Sequence, residues 1–256
     1  MSLCVTVGSQ SVNGSIMIIS GVTLRGFNVY DASFNSNGAL LYLDAGNTAS
    51  YPGSGTTWTD LSTNQNNYTI TGSPAFTSDG TASYFRFNGT GLQYGYANNN
   101  LKYNQTYTGK SIIIAARLTS ALTSGQYRGM FGTSSGFRNF NTYMYSPSAG
   151  VYRLHYSSNS AGGFSDNLSY APNQWGIFSV THTTGGLVTY YHNGQAVGTN
   201  TGATFAQWSA GGSFESIGVA DNYWLGDIAV CAVYGRTLSA SEIQRNFDVI
   251  RSRYGI

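Results

Sequence analysis

Four consecutive residues, Asp221-Asn222-Tyr223-Trp224, set a carboxylate and an amide beside two aromatic rings. Aromatic faces are apolar and can stack on the C–H faces of a sugar, while polar neighbours hydrogen-bond to its hydroxyls. The cluster is therefore the sequence's candidate ligand site, and the ligand it suits is a glycan. Trp58, Trp175, Trp208, Tyr94, Tyr96, Tyr103 and Tyr107 offer the same chemistry. These residue types serve equally as core or subunit interface. Trp175, followed by Ile177 and Val180 at strand spacing, reads as core.

Catalytic patterns are missing. A retaining glycosidase needs two carboxyl groups about 5 Å apart. The glutamates are Glu215 and Glu242, and Glu242 with Ser239 reads as a helix capping box. The histidines are His155, His182 and His192. His182 and His192 flank Gly185-Gly186 and are placed to face each other across a hairpin, but no third ligand stands at zinc spacing. No Gly-x-Ser-x-Gly elbow, Walker motif or dinucleotide glycine fingerprint occurs. No catalytic residue, metal site or cofactor is expected. Calcium would have only Asp221-Asn222 and Asp166-Asn167, and Asp-Asn is ordinary turn chemistry.

The elements that must position these residues are short strands. Leu40 to Leu43, Ser83 to Asn88, Ser111 to Leu118, Val151 to Tyr156, Gly176 to His182, Leu187 to Tyr191, Glu215 to Val219 and Trp224 to Tyr234 are strand-like. Asn193-Gly194 predicts a type I′ hairpin turn. Only the end is helical: Ile243, Phe247 and Ile250 share a face after Ser239. Residues 1–38 alternate apolar and polar and form a β-rich arm too small for its own core, so it must pack on the following domain, on a copy of itself or on a partner. Residues 39–256 are the main domain.

Charged residues make up 9% of the chain, against roughly 25% in an average soluble domain. The formal net charge is +2, which gives no electrostatic reason to bind nucleic acid or an anionic membrane. Arg245, Arg251 and Arg253 suit a helix C-terminus. Cys4 and Cys231 are expected to be free, buried thiols. The sequence displays no secretory signal and no run long enough to span a membrane, so the expected route out of a cell is within a virus particle.

Several stretches together resemble the laminin-G-like branch of the concanavalin A-like lectin/glucanase superfamily, as found in phage structural proteins. They are Leu41-Tyr42-Leu43-Asp44-Ala45-Gly46-Asn47, Trp58-Thr59-Asp60-Leu61-Ser62, Phe85-Arg86-Phe87-Asn88-Gly89, Tyr190-Tyr191-His192-Asn193-Gly194 and the Ser239 helix. The resemblance implies an all-β jelly-roll sandwich with one short C-terminal helix. It implies a non-enzymatic virion protein, a capsid decoration, head fibre or tail fibre. The arm would join other virion proteins or make a homo-oligomer such as a trimer, and the domain would meet a cell-surface glycan. A carbohydrate-binding module or adhesin of a secreted protein is the alternative. The superfamily often carries acidic residues where Asn88 and Ala229-Val230 stand, and its glucanases carry a Glu-x-Asp-x-x-Glu strand that this sequence lacks.

Overall fold

The Ile112-Ile113-Ile114-Ala115-Ala116 run buries both of its faces, so its strand needs cover on two sides. A computed structural model supplies that cover. It describes residues 33–78, 82–90, 94–97, 106–133, 140–158, 161–205, 215–220 and 222–256. The arm lies outside the described residues up to position 32, and Cys4 with it.

Two antiparallel sheets stack face to face. The first runs, edge to edge, Gln195–Asn200, Val188–His192, Gly176–Thr183, Gly109–Leu118, Leu225–Tyr234, Ser83–Asn88 and Ala75–Ser78, and Ala39–Asp44 also pairs with Leu225–Tyr234. The second runs Ala161–Phe164, Arg153–Ser158, Asn141–Tyr145, Tyr127–Thr133, Glu215–Ile217, Tyr94–Ala97, Tyr68–Thr71 and Thr57–Trp58. Ile112, Ile114 and Ala116 pack between the sheets with Phe131, Met144, Leu154 and Phe178. Ile113 and Ala115 face the other way, into a second core. This is the all-β sandwich that the alternating sequence predicts.

The second core lies on the outer face of the first sheet, under the helix Ala240–Ile250. Ser239 caps that helix: its Oγ accepts from the Glu242 N–H, and the Glu242 carboxylate accepts from the Ser239 N–H. Ile243, Phe247 and Ile250 then bury against the sheet. A β-bulge between Ile228 and Val230 lets Leu225–Tyr234 serve both cores. Ile228 and Cys231 point between the sheets, while Ala229 and Val230 both point to the helix.

The Asn193-Gly194 turn has φ of 51° and 79°, the left-handed pair a type I′ turn requires. Its register sets His192 opposite Phe178, while His182 pairs with Val188. The two histidines therefore do not face each other. Phe34 stacks on Tyr42 at 4.5 Å, and the Asn35 N–H donates to Asn246 Oδ1 at 2.7 Å. The free thiol of Cys231 is fully buried, and burial raises its pKa.

Candidate functional site

Helix Ala240–Ile250 roofs the outer face of the first sheet; on the outer face of the second, four neighbouring strands carry aromatic rings. Along Asn141–Tyr145 and Arg153–Ser158, Met144, Leu154 and Tyr156 turn inward and are fully buried. Tyr143, Tyr145, Arg153 and His155 alternate with them and turn outward. Register sets Tyr145 opposite both Tyr127 and Arg153, Tyr143 opposite His155, and His155 opposite Phe164. Four neighbouring strands thus contribute one ring cluster.

Its geometry is close. Tyr127 stacks on Tyr145 at 4.3 Å, and Phe164 stacks on His155 at 4.5 Å. Tyr143 lies 5.2 Å from His155 and Tyr145 lies 4.9 Å from Phe164, centroid to centroid. Phe164 is 36% exposed, so the cluster reaches solvent there. Asn141 Nδ2 donates to the Tyr143 hydroxyl at 2.8 Å, and Arg153 Nε donates to Asn167 Oδ1 at 2.8 Å. Burial raises the Tyr127 pKa, so its phenol stays protonated.

The four-residue cluster predicted as a site is divided. Asp221 lies outside the described residues. Asn222 and Tyr223 are exposed, in a small hairpin of Val219–Ala220 and Asn222–Tyr223. Trp224 is wholly buried and its Nε1 donates to the Asp227 carbonyl at 3.3 Å, so its ring is core and offers no face to a ligand. The hairpin lies over Gly129, where any Cβ would collide with the Ala220 nitrogen and the Asn222 carbonyl. Gly129 pairs with Tyr143, so the hairpin borders the aromatic cluster. Arg128 Nη1 donates to the Tyr223 carbonyl at 3.4 Å. Trp58 and Tyr107 are also core.

Tyr127, Tyr143, Tyr145 and Phe164 lie outside the aromatic candidates that the sequence marks, and Tyr127–Thr133 and Asn141–Tyr145 are not among the strands that its pattern predicts. The available signal was Tyr143-Met144-Tyr145, aromatic on both sides of one buried apolar residue.

The principal carboxylates are committed to structure. Asp227 is fully buried between Arg86 at 2.7 Å and Arg117 at 2.6 Å. Asp44 pairs with Arg253 at 2.9 Å. Asp60 accepts from the Tyr42 and Ser62 N–H groups and from the Ser62 hydroxyl, which explains the Trp-x-Asp-Leu-Ser turn as scaffold. Glu242 is held down to about 2 by Arg236, with the cap adding to that effect. An acid that far below neutrality cannot act as a general acid at pH 7. Among the described residues, no three His, Cys, Asp or Glu converge as metal ligands. Asn167 spends its oxygen on Arg153 rather than on a cation. His182 is neutral: Tyr156 donates to its Nδ1 at 2.8 Å, and its Nε2 donates to the Ala203 carbonyl.

A family model described as the concanavalin A-like lectin/glucanases superfamily matches residues 105–244, more than half of the chain. The chain belongs to that superfamily. The matched span holds the strands of the aromatic cluster, the Asn222–Tyr223 hairpin and the Ser239 cap of this lectin-like domain. Solved structures are similar in fold. Botulinum neurotoxin type C, whose cell entry depends on two ganglioside molecules, aligns at a TM-score of 0.62 and 13% identity over 84% of this chain and 52% of that one. The binding domain of botulinum neurotoxin DC in complex with rat synaptotagmin II aligns at 0.60 and 14%, over 85% and 52%. The same binding domain in complex with SialylT aligns at 0.61 and 13%, over 84% and 52%. This chain spans about half the length of those structures. No curated protein matches it. Among the described residues no helix is long and apolar enough to cross a membrane.

Proposed function

We propose that this lectin-like domain binds glycans on the outer face of its second sheet and does so without catalysis. The observation that carries the reading is the joined set of Tyr127, Tyr143, Tyr145, His155 and Phe164 rings, open to solvent at Phe164 and bordered by exposed Asn222 and Tyr223. A pyranose presents C–H groups to such rings and hydroxyls to nearby amides and Arg153. Asp44, Asp60, Asp227 and Glu242 are held in ion pairs and turns, which supports a binding role over a glycosidase. The neurotoxin domains of similar fold are binding domains in complex with a protein receptor and with SialylT.

The finer reading is a virion structural protein, a capsid decoration or fibre, that displays this face to host-surface glycans. The charge-poor composition, the phage-like motif set and the 1–38 arm support it. In this reading the arm joins other virion proteins or copies of the chain.

The test is a glycan array followed by titration of the strongest hit. Tyr145→Ala and Phe164→Ala are expected to weaken binding at least tenfold while leaving the melting temperature within a few degrees. Binding unchanged in both variants, or no binding to any glycan, refutes the aromatic face as the site.

A further inference from the structure

Asn-Gly pairs occur at Asn13, Asn37, Asn88 and Asn193. In such a pair the glycine, with no Cβ, lets its nitrogen approach the side-chain carbonyl carbon of the asparagine. Attack there needs two things. The side chain must be free to swing over the backbone, and the glycine N–H must be able to lose its proton to solvent. Asn13-Gly14 lies outside the described residues, and the other three pairs differ.

Asn88 and Asn193 are held. Asn88 Oδ1 accepts from the Thr90 N–H at 3.0 Å and from the Thr90 hydroxyl at 2.7 Å. Asn193 Oδ1 accepts from the Ile177 N–H at 2.9 Å, and Gly194 is buried beside Gln244 and Phe247. Asn37 and Gly38 are both exposed, at the tip of a turn closed by the Ala39 N–H on the Ser36 carbonyl at 2.9 Å. Gly38 supplies the φ of 73° that such a turn needs. Among the described residues, the Asn37 side chain and the Gly38 N–H make no hydrogen bond.

The backbone oxygen of Asn37, by contrast, has a charged partner. It accepts from Arg236 Nη2 at 3.2 Å. The guanidinium lies so near Gly38 that an added Cβ would stand 3.2 Å from Arg236 Nε. Glu242 holds Arg236 in place: its Oε1 accepts from Nη2 at 2.7 Å and its Oε2 from Nη1 at 3.0 Å. That pairing raises the Arg236 pKa, so the group stays charged. When the Gly38 N–H loses its proton, the negative charge spreads onto the Asn37 oxygen, because the two atoms share one peptide resonance. The guanidinium therefore sits on the atom where charge develops, as an oxyanion-hole donor does.

We propose that Asn37-Gly38 is a self-modification site, at which Arg236 promotes conversion of Asn37 to aspartate and isoaspartate. The Gly38 nitrogen, having given its proton to hydroxide, bonds to Asn37 Cγ. The Cγ–Nδ2 bond breaks, and Nδ2 takes a proton from water and leaves as ammonia. Water then opens the cyclic imide. Cleavage of the Cγ–N bond leaves aspartate. Cleavage at the former backbone carbonyl leaves isoaspartate, with one more carbon in the main chain. Either product sets a second carboxylate beside Arg236, in competition with the Glu242 helix cap.

Incubation of the full chain at mildly alkaline pH, followed by peptide mass spectrometry with fragmentation, tests the proposal. In the folded chain Asn37 is expected to convert several-fold faster than Asn88 and Asn193, and in urea the three are expected to convert at similar rates. Arg236→Gln is expected to slow Asn37 about tenfold in the folded chain, the worth of one hydrogen bond to a developing charge, and to change nothing in urea. Arg236→Lys, which keeps a cation beside Glu242, is expected to slow it less. The comparison of folded with unfolded wild-type chain needs no variant to fold. Equal rates at the three sites in the folded chain, or an Asn37 that stays intact, overturn the proposal. So does an unchanged Asn37 rate in folded Arg236→Gln.

Discussion

At the scale of single residues, buried charge and buried imidazole govern stability. Asp227 is the carboxylate shared by Arg86 and Arg117. Removing its charge strands two guanidinium groups, but Arg86 is about half exposed and rehydrates easily. Asp227→Asn is therefore expected to cost about 2–3 kcal/mol, below the range for wholly buried pairs, measured by urea denaturation. The histidines set the pH response. Burial lowers His182 and His192 to about 4, from an ordinary value of 6.5. Below pH 6.5 the unfolded chain takes up protons that the folded chain refuses, so stability is full above about 6.5 and falls toward pH 4. The Glu242 contribution, from a pKa of about 2 against 4.5, is lost in a lower window, from about 4.5 down to 2. Melting temperature against pH is expected to decline below 6.5, with the His192 ring titrating near 4 by NMR. A flat profile between pH 7 and 4 would contradict both burial assignments.

At the scale of elements, one cap and one bulge carry the architecture. The Ser239–Glu242 box starts the helix that roofs the first sheet, and Arg236 pins Glu242 at 2.7 Å. Ser239→Ala is expected to cost about 1 kcal/mol, read as a lower denaturation midpoint with an unchanged slope. The bulge at Ile228–Val230 turns one strand's alternation over, so that a single segment feeds both cores. Gly129 acts differently: with no Cβ it admits the Val219–Tyr223 hairpin onto the sheet beside the aromatic rings.

At the scale of the whole molecule, the sandwich is asymmetric. One outer face is closed by a helix, and the other carries the aromatic rings, which are exposed at Phe164. Assembly through the arm belongs to the proposed virion reading. Light scattering is expected to find the full chain a trimer and a chain beginning at Ala39 a folded monomer. A monomeric full chain would refute self-assembly through the arm. A chain beginning at Ser33 retains Phe34, which is 8% exposed and stacked on Tyr42. It is expected to exceed the Ala39 chain in stability by about 2 kcal/mol.

Local features are legible in the residue order alone. The unbroken apolar run from Ile112 to Ala116 required two-sided burial, Asn193-Gly194 specified its turn through left-handed φ, and Ser239 with Glu242 specified the helix start. Those signals lie within a few residues of each other, so they can be read in order along the chain. The linear cluster at 221–224 was only partly informative, because Asn222 and Tyr223 lie exposed in a small hairpin while Trp224, the next residue, is wholly buried in the core. Tertiary structure alone decided the aromatic face. Tyr127, Tyr145, His155 and Phe164 come from four strands and become one surface only through register. The physical reason is that side-chain pattern fixes which face of a strand is apolar, but long-range pairing between strands fixes which faces become neighbours.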